Sequence, residues 1–320
     1  MFEELVPAVR TLGADDLGIG VKEQARTSHA SSAPDAPVIT SDDPYVQEIA
    51  RLASIYGGVI LSGPPGTSKS FYASAAAEII AGSKNRVKFV QFHASYQYED
   101  FMLGFTPTET SFKPKEGPFL ELAKAAAGHP DDTYVLVIDE LSRADVGRVF
   151  GEALTYVENT KRELPFTIAN GEEIKVPENL VILATMNPFD RGVDEVDAAF
   201  ERRFAKMAMD PDRELLEAIL ESNGMDPDLQ RRVMIWFERI NNYASSNPAA
   251  AVGHAYFSTA SDESSLADIW RYQLKYLVER AFRRDQNTRA ALETGWQHIF
   301  ATPDPPEHGT ETEPAPATGD

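Results

Sequence analysis

The sequence contains no cysteine, which excludes disulfides, thiolate metal centres and a cysteine nucleophile. It has no uninterrupted apolar run approaching the ~18 residues that a bilayer-spanning helix needs. Glu3 and Glu4 stand where an export signal would be basic, so a cytoplasmic protein with no membrane partner is expected. Basic charge is also short: 30 Lys and Arg face 50 Asp and Glu, a formal net charge of −20. Such a surface repels phosphate backbones, so DNA contact is expected only indirectly or through a local basic loop inside an assembly. The six histidines are scattered, without metal-ligand spacing, and zinc is not expected.

What remains is an ordinary globular composition, 42% hydrophobic and 25% charged over 320 residues, enough for one large or two modest domains. Residues 1–43 read as a short amphipathic start followed by a small, polar, proline-bearing linker. Residues 302–320 lack periodicity and are rich in proline and acid, which predicts a disordered acidic tail.

Between these ends, residues 44–210 alternate between strand and helix. Two aspartates and Pro44 make a helix start, with Tyr45, Ile49, Leu52 and Tyr56 on one face. Strands are predicted at Val59–Leu61, Val87–Phe92, Tyr134–Ile138 and Leu180–Thr185, and helices from about Ser70, near 118–128 and near 144–158. Asn170-Gly171 between two apolar runs predicts a hairpin. Alternation with buried strands implies an α/β fold, a parallel sheet sandwiched by helices. From residue 211 to 301 the strand signals stop. Leu229, Val233, Trp236 and Ile240 share one helical face, as do Leu266, Ile269, Leu274 and Leu277, so a small helical lid domain is expected.

Four segments carry chemistry. Gly63-Pro64-Pro65-Gly66-Thr67-Ser68-Lys69-Ser70 lies between a strand and a helix, where consecutive backbone N–H groups and a helix N-terminus can wrap phosphates. Lys69 would neutralise the β and γ phosphates and Ser70 would bind Mg²⁺. Ser68 departs from the usual pattern by standing where glycine precedes the lysine. The second segment is the apolar run Tyr134–Ile138 ending in Asp139-Glu140. Asp139 can hold Mg²⁺, and Glu140 can orient and deprotonate an attacking water. Third, Asn187 follows another buried strand and can hold that water or the γ phosphate, or else form a plain turn. Fourth, the adjacent Arg202 and Arg203 suit an arginine finger.

Finer wording resembles McrB-type restriction NTPases within the AAA+ class. The matching wording is Phe92–Phe101 with Gly104–Pro107, Gly117-Pro118-Phe119, Ile138–Arg143, Val149–Glu152, Val176–Asn179 leading into Thr185–Asn187, and Gly253–Phe257. The resemblance spans roughly residues 44–285 and implies Mg²⁺-dependent hydrolysis of ATP or GTP by a homo-oligomer, often a hexameric ring. It further implies a McrC-type nuclease partner, Arg202 and Arg203 acting across a subunit boundary, and Arg143 helping to order that interface. Asn187, Asp190 and Arg191 match the segment associated with GTP use, but Pro188, Phe189 and Gly192 do not, so either nucleotide is expected. With fewer than about fifty residues before the P-loop region, a DNA-reading domain is expected to reside on another subunit. The runner-up is a MoxR-like AAA+ chaperone that remodels a protein complex. Two readings stay open for His93 and His254, structural or nucleotide-sensing, and two for Lys113 and Lys115, a pore-facing or a solvated loop.

Overall fold

The structure, a computed structural model, describes residues 39–108, 110–188 and 198–301. The N-terminal segment with most of its linker, the acidic tail, and Asp190 and Arg191 lie outside the described residues.

Helix α1 (Pro44–Tyr56) begins as predicted: the Asp43 carboxylate accepts hydrogen bonds from the N–H groups of Tyr45, at 2.8 Å, and Val46, at 3.3 Å. The strands in chain order are β1 (Gly58–Ser62), β2 (Val87–Gln91), β3 (Leu103–Pro107), β4 (Phe112–Glu116) and β5 (Tyr134–Asp139). They continue with β6 (Phe166–Thr167), β7 (Glu173–Ile174), β8 (Leu180–Met186) and β9 (Ala205–Ala208). Five of them form a parallel sheet in the order β2-β5-β8-β1-β9. The continuous apolar runs of β1, β5 and β8 are central because both of their faces are covered. Alternate residues serve opposite faces. Val135 and Val137 join Val46, Ile49, Ala73 and Ala76 under α1 and α2 (Lys69–Ala81), while Leu136 and Ile138 join Phe101, Phe119 and Phe150 beneath α3 (Pro118–Gly128).

A third apolar cluster holds the helices α4 (Arg213–Ser222), α5 (Pro227–Asn242), α6 (Glu263–Ile269), α7 (Lys275–Ala281) and α8 (Gln286–Gln297) around Trp236 and Trp296. Leu229, Val233, Trp236 and Ile240 are all buried in it, as the spacing predicts. Between α6 and α7 the chain winds as a π-helix at Trp270–Leu274, and Leu266, Ile269, Leu274 and Leu277 all stay buried.

Several local expectations are corrected. The helix predicted over 144–158 is broken into Val146–Phe150 and Ala153–Tyr156, because Gly151 turns the chain at φ 49°. Lys113 and Lys115 lie not in a loop but on β4, which pairs antiparallel with β3. Strand β9 was not predicted; it is four residues long and half-exposed at the sheet edge, so it carries no apolar run. Strand β2 is also an edge strand and largely exposed, and Phe92 just beyond it is the residue that enters the core.

Below the sheet, Arg162 is 5% exposed and donates to backbone carbonyls of Gly57 at 2.9 Å, Val157 at 3.3 Å, Glu178 at 3.4 Å and Leu180. Burial lowers its pKa to about 10, so the guanidinium remains charged at neutral pH and joins the N-terminal ends of β1 and β8.

Candidate active site

Parallel strands place their C-terminal ends on one side, and the register fixes which residues meet there. Ser62 pairs with Met186 and Ile138 with Ala184, so the loop after β1, the acids ending β5 and Asn187 after β8 lie side by side. This edge of an open α/β sheet is where such folds bind ligands.

The loop Gly63–Ser68 leads into α2, whose first residue is Lys69. Gly66 turns the chain at φ 77°, and the Thr67 hydroxyl donates to Pro64 O at 2.9 Å, bracing the loop from inside. Lys69 Nζ lies against the same carbonyl at 2.6 Å, so the cation sits over the loop's own concavity. Ser70 Oγ donates to Asp139 Oδ1 at 2.6 Å, and Thr185 Oγ1 donates to the same oxygen at 2.6 Å. Two hydroxyls from two elements thus converge on one carboxylate oxygen of a third.

Glu140 takes the left-handed conformation, φ 57°, which a non-glycine residue adopts at a cost of roughly 1–2 kcal/mol. Its N–H donates to Thr185 Oγ1 at 3.2 Å, so the bend that aims its carboxylate is anchored to β8. Arg143 Nε lies 3.3 Å from Glu140 Oε2; the sequence offers Arg143 as an interface residue, and here it steadies the acid.

The arginines are elsewhere. Ala205 pairs with Val59, so Arg202 and Arg203 stand before the N-terminal end of β9, across the sheet from the loop. They also differ from each other. Arg202 is exposed, while Arg203 is 8% exposed with Nε 3.7 Å from Glu158 Oε2. Neither Nε nor Nη1 of Arg203 makes a hydrogen bond among the described residues.

The segment Gly253–Phe257 of the helical region lies on the phosphate loop. Ala255 N–H donates to Gly66 O at 2.9 Å, and a Cβ at Gly253 would fall 2.0 Å from that oxygen, so only glycine permits this approach. His254 is buried, and burial pushes its imidazole pKa down, against the opposing pull of Asp212. The sequence left His254 between two readings; in the structure it touches the loop. Asp212 stands in no run that spacing flags, and Thr185 reads in the sequence as the last residue of the strand Leu180–Thr185, so neither is marked there as a site residue. His93 meets Ser95, at 3.0 Å, and packs edge-on against Tyr96, which belongs to the aromatic packing around Phe92 and Phe101.

A cradle of backbone N–H groups ahead of a helix, a lysine, and a paired hydroxyl and carboxylate define a P-loop nucleoside triphosphatase, and residues 58–204 match the AAA domain of the dynein-related subfamily. The chain carries an AAA-type P-loop NTPase domain. It is 32% identical over 261 residues to the type IV methyl-directed restriction enzyme EcoKMcrB subunit of Escherichia coli strain K12, covering 75% of this chain and 57% of that protein. It is 29% identical over 196 residues to the type II restriction enzyme BsuMI component YdiS of Bacillus subtilis strain 168, covering 48% of this chain and 57% of that protein. The chain therefore spans somewhat more than half the length of these curated relatives.

Proposed function

We propose that this chain is the Mg²⁺-dependent NTPase motor subunit of a restriction complex, working as a head-to-tail ring with a nuclease partner. The observation that carries the reaction is the convergence of Ser70 and Thr185 on Asp139, with Glu140 bent next to it. A hydroxyl and a carboxylate are hard oxygen donors, which fit Mg²⁺ carried in with nucleotide phosphates. Among the described residues no group of three or more His, Asp or Glu side chains could hold a metal by itself, which also suits an ion that arrives with its substrate. Bound there through Ser70 and Asp139, the ion would neutralise charge on the β and γ phosphates. Lys69 and the loop N–H groups orient the phosphates, Glu140 takes the proton of the attacking water, and Asn187 holds that water from the end of β8.

The restriction reading rests on similarity to two restriction components and is preferred for that reason over a remodelling chaperone. Assembly rests on the geometry of the arginines. Arg202 is exposed and separated from its own loop by the length of β1, roughly 15 Å, so it serves a neighbour's site if it serves any.

Phosphate release measured with ATP and GTP in parallel, across protein concentration, tests this. Specific activity is expected to rise with concentration and to show which base is preferred. Arg202→Ala should lower turnover roughly 10³-fold with binding intact. Mixing it with Glu140→Gln should restore activity, because the second variant lends Arg202 to the first variant's intact site. Full turnover by Arg202→Ala alone would rule out the shared site. Arg203→Ala is expected to differ: it empties the buried place of a guanidinium packed beside Glu158, which keeps Lys161 and Thr160, so its main effect should be a lower melting temperature.

A further inference from the structure

Ser68 sits at φ 58° and ψ 21°, a left-handed conformation that glycine takes freely and serine does not. Its side chain is held. Ser68 Oγ lies 2.9 Å from His254 Nε2, and His254 is 2% exposed. The other ring nitrogen, Nδ1, accepts the N–H of Asp212 at 3.3 Å. A neutral imidazole with Nδ1 as acceptor carries its proton on Nε2, so His254 is the donor to the serine. Asp212 is itself fixed: its carboxylate accepts from Leu215 N–H at 3.0 Å, capping α4, and from the Tyr45 hydroxyl of α1 at 2.7 Å.

We propose that Ser68 and His254 are a positioning pair for the nucleotide, a latch between the phosphate loop and the helical region. The inference rests on the loop being the nucleotide site and adds what holds the loop in shape. The imidazole, backed by Asp212, keeps the serine in its left-handed turn and with it the N–H groups on either side and Lys69. Together with the Ala255-to-Gly66 bond, the contact links the loop's shape to docking of Gly253–Phe257. Undocking that segment breaks both contacts at once and lets the loop relax, so nucleotide is retained while the segment is docked and released when it lifts.

The test is stopped-flow dissociation of a fluorescent nucleotide analogue from the full chain with Mg²⁺, alongside thermal melting. Ser68→Gly removes only the hydroxyl and supplies the residue that prefers this backbone, so its melting temperature should not fall. Dissociation should nevertheless be about fivefold faster, the scale of one lost hydrogen bond. His254→Gln should show a similar acceleration, and the double variant should be no faster than the more affected single one, because both remove one interaction. Wild-type dissociation in Ser68→Gly, or accelerations that multiply in the double variant, would overturn the latch. If His254→Gln does not fold, Ser68→Gly alone decides. Lys69→Ala serves as the control on the site itself: if it retains the analogue as wild type does, the nucleotide assignment of the loop fails, a result distinct from failure of the latch.

Discussion

The Glu140→Gln variant is expected to bind nucleotide as wild type does and to release phosphate roughly 10²–10⁴-fold more slowly, the usual contribution of a positioned general base. Glutamine has the same size and can keep the left-handed bend, because that bend is anchored by the residue's N–H to Thr185 and not by its carboxylate. What is lost is the capacity to accept a proton. The partner Arg143 loses its ionic contact at 3.3 Å, but both side chains are well exposed, and such pairs contribute little to stability. Binding of a labelled nucleotide and single-turnover phosphate release separate the two properties. Wild-type hydrolysis would remove Glu140 from the mechanism, and a lowered melting temperature would show that the bend itself had given way.

The largest effect on stability is expected at Arg162, well away from the chemistry. Arg162→Met fills much of the same volume but leaves the buried carbonyls of Val157 and Leu180 without their donor, while Gly57 O keeps the N–H of Ile182 at 3.2 Å. Each orphaned acceptor costs on the order of 1–3 kcal/mol, so a total of at least about 2 kcal/mol is expected. For a folded body of this size that corresponds to a fall in melting temperature of roughly 4–8 °C. Nucleotide affinity, measured well below that transition, should hold, because these carbonyls lie at the opposite end of β1 and β8 from the loop. An unshifted melting curve would mean that water replaces the guanidinium without cost.

Much of this molecule is written locally. Buried parallel strands need continuous apolar runs, so β1, β5 and β8 stand out in the sequence, and the polar residues that follow them make the proposed site. The long helices declare themselves by a single buried face. The β3–β4 ribbon does not, because Phe112–Glu116 carries Pro114 between two lysines and is exposed almost throughout; its strand character comes from pairing with Leu103–Pro107. Strand β9 is short and borrows its conformation from β1. Arg202 and Arg203 are identical neighbours in sequence, and only burial against Glu158 distinguishes them. Ser68 could be read as an oddity of the loop, but its partner is 186 residues away and no spacing rule connects them.

On the proposed shared site, the opposite placement of the loop and Arg202 along the sheet gives the subunit a head and a tail. Contacts between a head and a tail are heterologous, so they extend a row indefinitely unless rotation closes it. An open row of such subunits always carries one site without its arginine and one arginine without a site. Closure removes both defects in the same event, so the last subunit to join completes two sites where every earlier one completed a single site. A lone subunit lacking Arg202 would silence its neighbour's site and leave its own working, a one-step displacement of damage that no two-fold dimer can show.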